Sequence, residues 1–392
     1  MTRAYTQPLA DAIVEAERLV ESASFVETEQ DLLEGYDYLA GSIRASLQMA
    51  WAFDRQFPFF INSTNQHTKM GLDNPDTIYY HANITDDATY LVTGHRGTTA
   101  DLSFQVLDGD YSPAASPDSL AAFDERAVTV EADGRFEVRF GPTVDDPPGN
   151  YFVLGRGAAM LIVREVFSDW DVEERGEISI QRVDTAGKHP GAASDERTAK
   201  KYRVAGKMLL SRIKTWFAFP EWFYLNEPVN TLTPPRVTPG GLSSQYSSVG
   251  HFHLTHDQAM VVTVPASGMP YQGIQLGSVW YVSLDYIHHQ TSLTADQARV
   301  DPDGKIRFVV SDQNPGVTNW LETLGHARGY VQLRWQHVSR ELTESDGPTV
   351  EVVALSDLAD RLPYYEDARI SRHGFEARIA ARQQHVARRM IG

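Results

Sequence analysis

Histidines beside carboxylates are the groups in this sequence best suited to moving protons, and they crowd into one stretch. Between Trp280 and Trp335 the chain carries Asp285, Tyr286, His288 and His289, then Asn319, Trp320 and His326. A carboxylate that holds one imidazole nitrogen fixes the tautomer and leaves the other nitrogen as a general base. Asp285 and His288 are close enough in sequence to meet where a strand ends in a turn, with His326 as a second proton carrier. Asn319 and Tyr281 or Tyr286 would then hold a substrate oxygen, and Trp280, Trp320 and Trp335 would wall the pocket. The alternative is a buried polar network that fixes loops, because Asp and Asn also cap turns and need partners when buried. Catalysis requires two loops distant in sequence to converge, as loops do at the end of a β-sandwich.

Two further sets have a defined spacing. Gly250-His251-Phe252-His253 puts two imidazoles on one side of a strand, a disposition that suits a metal, with His256 or Asp257 as third ligand. Exposed or cavity-lining strand histidines are the competing reading, and no cofactor is expected apart from a divalent ion there. Asn74-Pro75-Asp76-Thr77-Ile78-Tyr79-Tyr80 opens a strand. Pro75 fixes an extended turn, and the two tyrosines face opposite ways, so Tyr80 or Tyr79, not both, lines a given cavity. His95-Arg96-Gly97 and Gly155-Arg156-Gly157 are strand-end turns too short for phosphate loops. Neither a nucleophile elbow nor a dinucleotide fingerprint occurs.

The segments WYVSLDYIHHQTSL and DGKIRFVVSDQNPGVTNWLETLGHARG, followed by RW, resemble the C-terminal half of bacterial proteins bearing domain of unknown function 1214. The matching positions are Trp280, Ser283, Asp285, Tyr286, His288, Gln290, Thr291, Ser292, Asn319, Trp320, His326, Gly329, Arg334 and Trp335. NPDTIYYHANI is similar to an earlier segment of the same proteins. At His251 and His253 this chain departs from the pattern. The resemblance implies a family and no reaction.

Composition narrows the field. The 392 residues are enough for two or three domains, and 42% hydrophobic with 22% charged residues is ordinary for a globular chain. A net charge of −17 argues against nucleic acid and against an anionic membrane as partner. With no cysteine there are neither disulfides nor thiolate chemistry. The N-terminus lacks the apolar core of a signal peptide, so a cytoplasmic location is expected.

The elements that must position these residues read as mainly β: two antiparallel β-sandwich or jelly-roll-like domains with N-terminal, connecting and C-terminal helices. Residues 7–23 and 30–53 have amphipathic helical spacing, within an N-terminal helical segment 1–60. Strands are expected at 77–84, 89–94, 101–107, 126–130, 136–140 and 151–163, in a first sandwich spanning 61–168. A helical, Pro-rich connector covers 169–241, a second sandwich 242–356, and a basic helical tail 357–392. Apolar runs at 279–282, 306–310 and 330–335 are strand candidates in the second sandwich. The tail is expected to pack on the body or on another subunit, which leaves a homo-oligomer open. No sequence motif repeats, although two similar β layers would fit an ancient duplication. Two functions fit: a His/Asp acid–base enzyme, hydrolytic or dehydratase-like, acting on a small, neutral, largely apolar molecule, or a non-catalytic sandwich that binds a small molecule or carbohydrate.

Overall fold

The computed structural model describes residues 4–109, 117–237 and 244–390. Helix α1 (Gln7–Glu21) buries Leu9, Ala12, Ala16 and Val20. In α2 (Glu29–Ala52) Thr28 and Asp31 form a capping box, each side chain accepting a backbone N–H of the other's residue. Eight strands follow. They are β1 (Thr77–Asn83), β2 (Tyr90–His95), β3 (Asp101–Leu107), β4 (Ser119–Asp124), β5 (Arg135–Gly141), β6 (Tyr151–Val153), β7 (Met160–Val166) and β8 (Glu177–Arg182). Helix α3 (Asp195–Phe223) leads to short β9 (Thr231–Leu232) and β10 (Arg236–Val237). Next come β11 (Tyr246–His253), β12 (Gln258–Pro265), β13 (Tyr271–Gly277), β14 (Ser292–Thr294), β15 (Lys305–Ser311) and β16 (Trp320–Glu322). β17 (Arg328–Gln336) and β18 (Thr349–Ala354) complete the strands, and α4 (Leu358–Arg361), α5 (Tyr365–Ala368) and α6 (Arg372–Met390) form the tail.

The strands build two β-sandwiches of the same design. In the first, the sheet β1-β7-β3-β4 faces β6-β5-β2-β8; in the second, β11-β17-β13-β14 faces β16-β15-β12-β18. Each strand of the second takes the place of the strand ten earlier in the first, including one parallel pair in each, β5 with β6 and β15 with β16. The repeat that the sequence leaves unmarked is therefore plain in the strand order. Period-two burial explains each core. Phe104, Phe136, Phe140, Val92 and Leu161 close the first, and Phe252, Phe308, Val262, Leu333 and Trp335 close the second.

Several boundaries differ from expectation. The strand expected at 126–130 is a short 3-10 turn at Glu125–Ala127, and β4 precedes it. The 151–163 run is broken into β6 and β7 by a turn around Gly155–Ala158. β8 lies inside what reads as connector, because Glu-Ile-Ser-Ile-Gln-Arg alternates on an edge strand whose outward face is polar. Residues 279–282 are not a strand. They form a turn in which Tyr281 has φ 57°. Part of the Pro-rich crossing pairs with β11 as β9 and β10, and 238–241 lie outside the described residues.

The helices pack as an added layer. Trp280 is the centre of their core, among Phe25, Tyr38 and Phe217, and its Nε1 donates to the Asp31 carbonyl at 2.6 Å. Gly35 of α2 lies flat against that ring, where a Cβ would meet it at 2.3 Å. Among the described residues no helix is long and apolar enough to cross a membrane.

Candidate active site

The turn after β13 sets the central pair. Asp285 Oδ1 accepts the backbone N–H groups of Ile287 (2.9 Å) and His288 (3.1 Å), an Asx-type turn that brings the His288 ring back over its own carboxylate. His288 Nδ1 donates to Asp285 Oδ2 at 2.8 Å. That leaves Nε2 without a partner among the described residues, as a general base requires. Burial pushes the Asp285 carboxyl up, but the His288 ring and the two backbone donors outweigh it and hold it below the usual range.

This pair lines a cavity of about 580 Å³ between α2 and the second sandwich. Glu34, Asp37 and Arg44 come from α2, Lys69 from the loop before β1, and Tyr286, Ile287 and Leu284 from the same turn as His288. Lys69 Nζ donates to the carbonyls of Ser283 (2.7 Å) and Leu284 (3.0 Å) and lies 5.2 Å over the Tyr286 ring. Burial lowers its pKa, while the charges of Asp73, Asp285 and Glu34 hold it up. A partly buried lysine with a lowered pKa in a cleft is a frequent mark of function. Nothing in its sequence neighbourhood, His67-Thr68-Lys69-Met70, announces it.

His326 reaches this cavity only through another residue. Its ring is buried, with Nε2 2.8 Å from Glu34 Oε1, so the imidazole orients a carboxylate that lines the cavity. His289 pairs with Glu322 at 2.8 Å, away from the cavity lining.

The remaining expected residues do other work. Asn319 Oδ1 accepts the Arg299 backbone N–H and its Nδ2 donates to the Arg299 carbonyl, both at 2.8 Å, which clamps two loops together. Trp320 packs on Phe375 and donates to the Ser311 carbonyl; Trp335 is fully buried in the second core; Trp280 serves the helical layer. An indole removes so much apolar area from water that sheet and helix cores claim it before a polar cleft does. The hydroxyl of Tyr80 donates to Glu165 at 2.8 Å beside the first core. His251 and His253 do not assemble a metal site. His251 Nε2 lies 2.8 Å from the Glu227 carbonyl, His253 is exposed, His256 pairs with Asp312, and Asp257 accepts the Thr255 hydroxyl. The turn between α3 and β9 supplies the carbonyl that occupies the His251 ring.

Tyr281 lines a second cavity, of about 550 Å³, between the two sandwiches. Its hydroxyl donates to Tyr224, which donates to Gln332 Oε1. Trp216 and Phe219 of α3 form an aromatic wall, and Tyr79, His81, Arg164 and Arg334 bring polar groups. Arg334 is committed to the Leu72 carbonyl, Gln275 and Gln332.

No family model matches this sequence, and neither does any curated protein. Among solved structures, an uncharacterised protein from Burkholderia cenocepacia is similar, at 26% identity and a TM-score of 0.80. The similarity covers 90% of this chain and 98% of that one. The VPA0106 protein of Vibrio parahaemolyticus aligns over 86% of this chain and 99% of its own, at 11% identity and a TM-score of 0.45. Over nearly its whole length, then, the chain has the architecture of an uncharacterised bacterial protein.

Proposed function

We propose that this chain is an enzyme that moves a proton on a small molecule bound beside His288, in a hydrolytic or eliminating, dehydratase-like step. One observation carries the reading: His288 Nδ1 is held at 2.8 Å by Asp285 on the wall of a cavity that also contains Lys69. His288 Nε2 accepts the proton from a bound hydroxyl, water or activated C–H. Lys69, fixed by two carbonyls, supplies positive charge to an oxygen that becomes negative. Glu34, oriented by His326, is the second proton carrier. The charged lining suits a substrate with hydroxyl, carbonyl or amine groups, its apolar part resting on Leu284, Ile287 and Leu324. Cytoplasmic location, and kinship with proteins bearing domain of unknown function 1214, belong to this reading.

Panels of esters, hydroxy acids and hydroxy ketones test it. Turnover found in the wild type should fall roughly 10²- to 10⁴-fold in His288→Ala, with far-UV circular dichroism unchanged. Equal turnover in that variant would discard His288 as base.

A second reading is favoured by the aromatic wall of the other cavity: a non-catalytic protein that binds a ring-bearing molecule between its sandwiches. Its mark would be a ligand that raises the melting temperature, loses affinity in Phe219→Ala, keeps it in His288→Ala, and is returned unchanged.

A further inference from the structure

Three groups unused by either cavity meet where the first sandwich touches the end of β17. Asp101 opens β3, Glu125 lies in the 3-10 turn after β4, and His337 follows β17. One ligand-type atom from each lies within 4.8 Å of the others. Asp101 is completely buried, and neither of its carboxylate oxygens has a hydrogen-bond partner among the described residues. Both ring nitrogens of His337 are likewise buried and without a hydrogen bond among the described residues; Glu125 Oε1 lies 3.9 Å from Nε2. Glu125 Oε2 accepts the Leu102 backbone N–H at 2.8 Å, which fixes its carboxylate beside Asp101.

Buried polar groups are nearly always satisfied, because each unmade hydrogen bond costs about 1–3 kcal/mol and more for a charge. Four unpartnered acceptor or donor atoms on two facing side chains therefore ask for a shared ligand. An anion is excluded by the two carboxylates. The local cations are already engaged: Arg126 pairs with Asp124 at 2.5 Å, and Arg96 donates to Thr99 and, at 3.4 Å, to Glu125 Oε1. One imidazole and two carboxylates are a donor set for a divalent transition ion, with a coordination position left for water.

We propose that Asp101, Glu125 and His337 bind one divalent transition-metal ion of the zinc class, and that the ion clasps the two sandwiches together. Two ligands come from the first sandwich and one from the second, so the ion would bind only the docked arrangement and stabilise it by mass action. Neither cavity contains any of the three residues, so this site stands or falls independently of the proposed activity.

The test uses the full chain stripped with chelator and dialysed against Zn²⁺, with metal content read by elemental analysis. One ion per chain at micromolar or tighter affinity is expected, with a rise in melting temperature. His337→Phe and Asp101→Asn each remove a ligand, and each should weaken binding at least about tenfold and abolish the rise. His256→Ala, an exposed histidine elsewhere, should change neither. Circular dichroism checks that each variant folds, and Glu125→Gln replaces any that does not. Absence of stoichiometric zinc in the wild type overturns the proposal, as does binding that survives the ligand variants.

Discussion

His81 shows what burial does to one titratable residue. It sits inside β1 with its ring on Tyr79 and its Nδ1 3.1 Å from Ser63 Oγ. Burial, with help from the charges of Arg164 and Arg212, lowers its pKa to about 3. Between that value and the usual one near 6.5, the unfolded chain binds a proton that the folded chain refuses. The stability this group supports is therefore complete above the unfolded pKa and is lost as pH falls through that window. The slope is at most about 1.4 kcal/mol per pH unit. In His81→Gln the fall in melting temperature between pH 6.5 and pH 4 should be shallower than in the wild type. Superimposable pH profiles would remove His81 as a source of acid sensitivity. At the same scale, Asp285 acts twice, as turn former and as the partner that orients His288, so loss of its side chain should disturb both loop and base.

At the scale of elements, α6 acts as a strut beneath the site. Its Arg382 is buried, donates to the carbonyls of Tyr286 and Ser292, and stacks 4.5 Å over Trp170. Arg389 lies 3.9 Å over the same indole and donates to the Pro75 carbonyl. Burial lowers the pKa of Arg382 to about 9, with Asp76 opposing, so the guanidinium remains charged at neutral pH. Arg382→Ala leaves two carbonyls without their donor and opens a space beside Trp170. The expected loss is about 3 kcal/mol, measured by urea denaturation. Because Tyr286 lines the cavity, the same variant should also weaken whatever binds beside His288. A loss under half a kcal/mol would mean that the tail merely rests on the body.

At the scale of the whole molecule, the two sandwiches are joined through polar groups. Asp76 Oδ2 accepts the Tyr271 hydroxyl at 2.7 Å and Oδ1 accepts Trp170 Nε1 at 2.9 Å; Asn74 Nδ2 donates to the Tyr271 hydroxyl. Asp73 takes the backbone N–H and hydroxyl of Ser283. A buried carboxylate is tolerable only while its donors remain, so Tyr271→Phe should cost about 2–3 kcal/mol and lower the cooperativity of unfolding. Calorimetry would read this as a broadened or split transition. An unchanged single transition would show that helices and apolar packing join the halves by themselves. Zinc, if clasped by Asp101, Glu125 and His337, should narrow the transition again.

Local chemistry made part of this protein legible in one dimension. Alternating apolar residues, with Gly and Pro between them, mark most of the strands because a strand's two faces alternate residue by residue. The Asp285–His288 pair is legible for a similar reason: three residues of turn bring the two side chains together without help from distant chain. What the sequence could not carry was convergence. Lys69 joins His288, and Asp101 and Glu125 meet His337, only after sheets from opposite halves have docked. The tryptophans expected around the pocket went to cores because the burial of a large ring is decided by which apolar faces are stacked, and spacing along the chain says nothing about that. The duplicated strand order, likewise, resides in pairing geometry, which many different apolar residues can satisfy.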